Sequence, residues 1–373
     1  MSRLLRSLVP LVRALTAQGY RVVGPTVRDG AIVLAELDSA EALPHGWGVT
    51  TGPGSYRLRA RDDGAAFGHA AGPQSWKAFL HPPRSPLWSA ERGPDGFTVT
   101  AAPEEEPRYA FLGVRGCDLR AIAIQDRVLG GAEGGYARRR AALFIVAVSC
   151  TEPAATCFCA STGCGPGVGA PDDGGYDLAL TELADGDGVR YVVETGSPAG
   201  ERLLVTIPTE PASPDTVDTA RTAVEAAATR MGRSLPEADL HELLTGSYGA
   251  ARWDDVAERC LSCGNCTMVC PTCFCTTVED VTDVTGTHAE RWLRWDSCFD
   301  LDFSYLHGGP VRTSTRSRYR QWLTHKFGTW QDQFGESGCV GCGRCIAWCP
   351  VGIDITEEAA ALAGPDVPSG GER

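Results

Sequence analysis

Apolar residues recur at helical spacing from the start of the chain, at Leu4, Leu5, Leu8, Leu11, Val12 and Leu15. That spacing predicts one amphipathic surface helix. Pro10 and Arg13 interrupt the stretch, so it does not read as a secretion signal. Residues 21–27 and 31–37 flank the turn residues Arg28-Asp29-Gly30 and predict two strands. Residues 60–108 are rich in Gly and Pro, and His81-Pro82-Pro83 excludes helix interior, so irregular structure is expected there. A buried-type strand is predicted over 109–114, a helix over 119–129 and a second buried strand over 141–149. Each strand runs into a cysteine, Cys117 and Cys150, which is the α/β arrangement that puts sites at strand ends.

Residues 178–183 and 189–194 predict a hairpin about Asp185-Gly186-Asp187-Gly188. The proline-bearing stretch 195–216 reads as a linker. Residues 219–231 read as a helix with Pro214 and Asp215 in its first turn, and 239–244 and 253–260 continue in helical style. The expected fold is an α/β or α+β N-terminal docking domain over 1–216, then an α-helical ferredoxin-type domain over 217–356. A flexible tail over 357–373 completes it.

The balance of 34 basic against 47 acidic residues, net −13, argues against a nucleic-acid binder. No apolar run is long enough to span a membrane. Composition departs from the ordinary at one residue type. There are 16 cysteines. Without a secretion signal the expected compartment is the cytoplasm, where thiols stay reduced, so the cysteines point to metal or redox chemistry.

One motif carries that chemistry: Cys260-x2-Cys263-x2-Cys266-x3-Cys270-Pro271, repeated as Cys339-x2-Cys342-x2-Cys345-x3-Cys349-Pro350. Three thiolates at two-residue intervals wrap one corner of a cubane, and the fourth, before proline, ligates the other cluster of a pair. The spacing therefore predicts two [4Fe–4S] clusters. One is held by Cys260, Cys263, Cys266 and Cys349, the other by Cys339, Cys342, Cys345 and Cys270. Two zinc sites would instead pair Cys-x2-Cys units, which this spacing does not do. The 68 residues between Cys270 and Cys339 favour a helical two-cluster domain over a small β-α-β ferredoxin.

Eight cysteines remain. Cys157-Phe158-Cys159 echoes Cys273-Phe274-Cys275, and Cys117, Cys150, Cys157 and Cys159 either converge on an additional iron–sulfur cluster or are buried structural thiols. Cys273, Cys275 and Cys298 are three, so a closed site there needs a borrowed ligand. Cys164 is assigned no role. Between Arg291 and Lys326 the chain interleaves Arg291, Arg294, Arg312, Arg316, Arg318, Arg320 and Lys326 with Trp292, Trp295, Phe299, Phe303, Tyr305, Tyr319 and Trp322. The cations are either a solvated face or groups that raise a cluster's potential or dock an acidic partner. The aromatics are expected to shield the clusters. No phosphate loop, hydrolase elbow or HExxH is present, and Gly163-x-Gly165-x-Gly167 is a poor dinucleotide motif, so no catalytic centre is expected on this chain.

These stretches also resemble a known family. The segments Phe111-Leu112-Gly113-Val114-Arg115-Gly116-Cys117-Asp118-Leu119-Arg120-Ala121-Ile122, Thr156-Cys157-Phe158-Cys159, and residues 260–275, 295–312 and 330–355 are similar to the iron–sulfur beta subunit of cytosolic NAD(P)-linked [NiFe] hydrogenases, or sulfhydrogenases. The corresponding iron–sulfur subunit of anaerobic sulfite reductase is a relative. The resemblance spans most of residues 105–356. It implies a relay between a flavin subunit that handles the nicotinamide cofactor and a catalytic subunit. The far end would be a nickel–iron site, or a sirohaem in the sulfite reductases, on another chain. A free-standing ferredoxin-like carrier is the remaining alternative, but the large front half argues for docking surfaces.

Overall fold

The computed structural model describes residues 2–102, 107–131, 134–170, 175–186 and 188–364. The protein is a mixed α/β structure. Its largest element is an eight-stranded sheet, built from β1 (Arg3–Leu5), β2 (Arg21–Arg28), β3 (Ala31–Glu36), β8 (Tyr109–Val114), β9 (Phe144–Ser149), β10 (Leu178–Asp185), β11 (Gly188–Thr195) and β12 (Glu210–Pro211). A separate hairpin, β4 (Trp47–Gly52) with β5 (Ser55–Ala60), follows β3 in the chain. The spatial order of the large sheet is β12-β1-β11-β10-β9-β8-β2-β3. The centre, β2-β8-β9-β10, is parallel, and antiparallel strands complete both sides. β9 is buried at every residue, as a central parallel strand must be. Asp29 and Gly30, with φ of 49° and 74°, make the tight turn between β2 and β3. β10 and β11 pair as the expected hairpin, although Asp187 of its turn lies outside the described residues.

Helix α1 (Val9–Ala17) begins later than the hydrophobic periodicity predicts. Leu4 and Leu5 lie in β1, which pairs with β11 and β12. Both are buried, and alternation along the strand sends them to opposite faces of the sheet, so the helix pattern over-reached at its N-terminal end. The stretch 195–216, read as a linker, holds a short helix (Pro198–Leu204) and β12. Ser213 caps the helix Pro214–Thr229 by accepting from the Thr216 amide at 3.2 Å, with Pro214 in the first turn as predicted.

The larger difference is a second sheet. Residues 60–108, expected to be irregular, contain β6 (Arg84–Gly93) and β7 (Gly96–Ala101). The region 217–356, expected to be helical, contains β13 (Thr276–Thr282) and β14 (His288–Trp295). These four form one antiparallel sheet, ordered β13-β14-β6-β7, drawn from both sides of residue 216. Strands that bury little carry weak hydrophobic alternation: β7 is exposed at every residue, and Val99 is 64% and Val278 51% exposed. At the C-terminus, the helix Ile355–Ala363 takes in residues 357–363, which the sequence assigned to the tail. It starts on Asp354, which accepts from the Thr356 amide at 2.9 Å, and its Glu358 is buried between Arg252 and Arg259, 2.6 Å from each. The remainder of that tail, 365–373, lies outside the described residues.

Candidate metal centres

The two cysteine motifs share one local geometry. In each, a glycine with positive φ (Gly264 at 72°, Gly343 at 73°) ends the Cys-x2-Cys loop and starts a one-turn helix, Asn265–Met268 or Arg344–Ala347. That reversal turns the third cysteine back toward the first two. The pre-proline cysteine follows each helix, and proline forbids its continuation.

The motifs exchange their last cysteines. Cys266 neighbours Cys260, Cys349, Cys263 and Cys270, and Cys260 neighbours Cys349 and Cys263. Cys345 faces Cys339, Cys342, Cys270 and Cys266, and Cys342 also faces Cys270. Asn265 of the first motif donates to the Trp348 carbonyl of the second. The structure thus brings Cys349 to the first trio and Cys270 to the second.

The first set frames a largely apolar pocket of about 420 Å³, walled by Cys260, Cys263, Cys266, Cys349, Phe299 and Tyr319 and touched by Cys345. Phe299, Tyr319 and Trp322 pack edge-to-face or tilted on one another, with centroids 5.5–6.2 Å apart, and supply part of the expected aromatic shield; Phe303 and Tyr305 are exposed, and Trp292 and Trp295 lie in β14. Backbone amides point at the sulfurs: Ser262 donates to Cys260 Sγ at 3.4 Å and Ile353 to Cys349 Sγ at 3.3 Å. Such donors stabilise thiolates bound to a cluster. Burial pushes the Cys266, Cys345, Cys339 and Cys342 thiols up. Thiolates in so dry a setting require a bound cation to balance them. Among the described residues no group of three or more His, Cys, Asp or Glu closes around a single metal ion. The donor set, the amides and the room suit an iron–sulfur group.

Of the cations predicted to act on the clusters, Lys326 is the one buried among the cysteines. It lies in a π-helical turn, His325–Thr329, and donates to Thr272 Oγ1 at 2.7 Å and to the Gly338 carbonyl at 3.3 Å. Burial opposes its charge, but Cys270, Cys273 and Cys339 around it outweigh burial and hold the ammonium protonated. A hydrogen bond from Cys273, and Lys326 with it, holds the Cys270 thiol well below its ordinary range. Most of the other cations are engaged within the protein. Arg291 donates to Asp280 at 2.6 and 2.7 Å, Arg316 pairs with Asp254 at 2.8 Å, and Arg320 donates to the Tyr248 carbonyl at 2.9 Å.

Lys77, which sequence reading did not single out, donates to the Cys273 carbonyl at 3.0 Å and lies 3.7 Å from the Trp295 ring centre. Cys275 and Cys298 form a hydrogen-bonded pair that holds Cys275 down to about 7. Cys164 donates to the Thr162 carbonyl at 3.3 Å and lines the rim of the loop that follows Cys159.

Cys117, Cys150, Cys157 and Cys159 converge on a second, apolar pocket of about 410 Å³, which Cys342 also lines. Cys117 opens helix α3 (Gly116–Leu129; α2 being the short Lys77–Leu80) after β8, and Cys150 follows β9. The loop carrying Cys157 and Cys159 lies against the second motif, where the Phe158 amide donates to the Gly341 carbonyl at 2.9 Å.

The 4Fe-4S dicluster domain family matches residues 259–353. With the cysteine geometry, this defines the protein as an iron–sulfur electron-transfer protein. Its sequence is 32% identical over 286 residues to sulfhydrogenase 2 subunit beta of Pyrococcus furiosus, covering 74% of this chain and 79% of that one. The chain belongs to the family of sulfhydrogenase beta subunits. No solved structure matches it. Among the described residues no helix is long and apolar enough to cross a membrane.

Proposed function

We propose that the protein is the relay subunit of a cytoplasmic hydrogenase complex. It would sit between a flavin subunit that reads the nicotinamide cofactor and a [NiFe] catalytic subunit. Cys260, Cys263, Cys266 and Cys349 hold one [4Fe–4S] cluster, and Cys339, Cys342, Cys345 and Cys270 hold the other. Each cluster, when bound, takes up and releases one electron. The chain's own residues set the conditions for that. Phe299, Tyr319 and Trp322 exclude water beside the first set, and the Ser262 and Ile353 amides donate to its sulfurs. Lys326 places a positive charge beside the second set. Residues 217–356 carry these two clusters, and residues 1–216 supply docking surface. The observation that carries the reading is the adjacency of the two sets, with Cys345 of the second lining the pocket of the first.

The kinship with a sulfhydrogenase subunit supports a hydrogenase at the far end rather than a sulfite reductase. Cys263→Ser and Cys342→Ser in the assembled complex test the relay. Each is expected to abolish or perturb one cluster's paramagnetic signal and to cut hydrogen-linked nicotinamide reduction at least tenfold. Hydrogen-driven reduction of a dye that bypasses the relay should persist. Full coupled activity in either variant would sink the assignment. Nickel should co-purify with the complex; sirohaem in its place would move the same relay to a sulfite reductase.

A further inference from the structure

Four of the cysteines outside the dicluster motifs come from three separate places in the α/β half and meet at one pocket. Cys117 arrives from the end of β8, Cys150 from the end of β9, and Cys157 and Cys159 from the loop beyond it. The pocket, about 410 Å³, matches the one of about 420 Å³ framed by Cys260, Cys263, Cys266 and Cys349. Cys157 neighbours Cys150 and Cys342, Cys159 neighbours Cys157, Cys150 and Cys342, and Cys117 neighbours Cys159 and Cys342. The four are therefore grouped around one space.

Two further observations point to a bound group. His69 and Arg115 line the same pocket and are 5% and 6% exposed, yet His69 Nε2 and Arg115 Nη1 have no hydrogen-bond partner. His69 Nδ1 lies 3.0 Å from the Ala70 carbonyl, which can only accept, so the ring proton is on Nδ1 and Nε2 carries a bare lone pair. A buried guanidinium N–H left open at the pocket is costly unless something there accepts its hydrogen. The sulfide of a cluster whose four irons are all held by thiolates supplies that acceptor.

The backbone, too, is shaped for close approach at this place. A Cβ on Gly341 would lie 2.6 Å from Cys159 Cα, one on Gly343 would lie 2.2 Å from the Thr156 carbonyl oxygen, and one on Gly116 would lie 2.2 Å from the Gly167 carbonyl oxygen. Only glycine at these sites lets the Cys157–Cys159 loop, the second motif and the start of α3 come together.

We propose that Cys117, Cys150, Cys157 and Cys159 hold a third [4Fe–4S] cluster, set against the second one across Cys342. The inference rests on the relay reading above and extends it. The second set then abuts both others, through Cys345 on one side and Cys342 on the other, so three clusters form a continuous path from the C-terminal motifs into the α/β half. Each step moves one electron from a reduced cluster to its oxidised neighbour, with no proton or bond exchanged.

The test is iron and acid-labile sulfide content, with spin quantitation of the dithionite-reduced protein, in the anaerobically purified full complex; the iron of the other subunits is subtracted from complexes assembled with and without this chain. The expected contribution is about twelve irons and three reduced centres per chain, rather than about eight and two. Cys150→Ser and Cys157→Ser should each remove about four irons, or convert one centre to a three-iron form, while the signals lost in Cys263→Ser and Cys342→Ser remain. If those substitutions prevent assembly, the wild-type iron and spin counts decide alone. A fully loaded wild type contributing about eight irons would overturn the third site and leave the two-cluster relay standing. So would zinc that disappears with Cys150. A count near four, insensitive to both Cys263 and Cys150, would overturn the relay reading and the third site with it.

Discussion

Arg344 and Asp118 form a buried two-pronged ion pair, with Nη1 3.0 Å from Oδ1 and Nη2 3.2 Å from Oδ2. Both are about 3% exposed. Arg344 stands inside the second cysteine motif, next to Cys345, and Asp118 follows Cys117 at the start of α3. The guanidinium also donates through Nε to the Gln74 carbonyl at 3.1 Å. The pair clamps the C-terminal motif onto the α/β sheet at the junction of the second and third cysteine sets.

Removing one partner strands the other charge in a dry site. Asp118→Asn or Arg344→Leu is expected to cost about 3–5 kcal/mol, whereas the double replacement Asp118→Leu with Arg344→Leu should recover part of that loss. Thermal melts of the wild type and these variants, with Asp118→Leu alone to close the cycle, measure the coupling. If the double variant is as damaged as the sum of the singles, the clamp is not a coupled pair.

Glycine at position 341 answers both a positive φ of 65° and the 2.6 Å approach to Cys159. Gly341→Ala should destabilise the protein by several times the cost of the same change at Gly286, where φ is 66° and no atom lies within 4 Å. The Gly286 change is expected to cost about 1 kcal/mol, the strain of a left-handed residue alone. Denaturant unfolding of the two variants separates crowding from backbone strain.

Lys326 is an unusual residue to bury, and its charge favours the reduced, more negative state of a neighbouring cluster. Lys326→Met should lower the potential of the cluster held by Cys339, Cys342, Cys345 and Cys270 by roughly 60 mV, equivalent to tenfold in a one-electron equilibrium. Potentiometric titration followed by electron paramagnetic resonance reads the shift. An unchanged potential in a protein with full iron content would rule out the electrostatic role.

The C-terminal helix makes a truncation test. Ending the chain after Gly364 should leave stability unchanged, because Glu358 and Ala359 and their contacts remain. Ending it after Thr356 removes Glu358 from between Arg252 and Arg259 and exposes the apolar face that Ala359 covers. That shorter chain should melt at a lower temperature, since Arg252 and Arg259 lose their carboxylate partner and the packing of Ala359 and Leu362 goes with it. Equal melting temperatures for the two truncations would show that the helix contributes nothing.

The strands that were legible are those buried on both faces and those joined by a marked turn. β8 and β9 are continuous apolar runs because parallel central strands meet no water, and the Asp29-Gly30 turn announces its hairpin. β6, β7, β13 and β14 were not read, because they bury little, β7 being exposed at every residue, and because the β14–β6 pairing that joins the two hairpins lies far apart in sequence. Trp292 in β14 sits opposite Glu279 in β13 and Pro86 in β6, a strand from the other half of the chain. A period-two pattern is there in Glu290-Arg291-Trp292-Leu293-Arg294-Trp295, but its charges read first as a basic segment. Leu4 and Leu5 erred the other way, because two apolar residues before a helix fit its spacing as well as they fit a strand.

Local chemistry is written in the chain alone. Cysteine spacing of two and two prescribes how one loop holds three corners of a cubane, and the fourth cysteine, three residues on and before proline, is sent to the other motif's cluster. Which separate loops share a space is settled only by folding. Cys117, Cys150, Cys157 and Cys159 meet because β8 and β9 are adjacent and parallel, so their ends open on the same edge of the sheet. Lys326 reaches Thr272 across 54 residues of chain, and Cys342 reaches the pocket of the α/β half from the far end of the sequence. Such contacts follow from the closing of a common core, which no local spacing can encode.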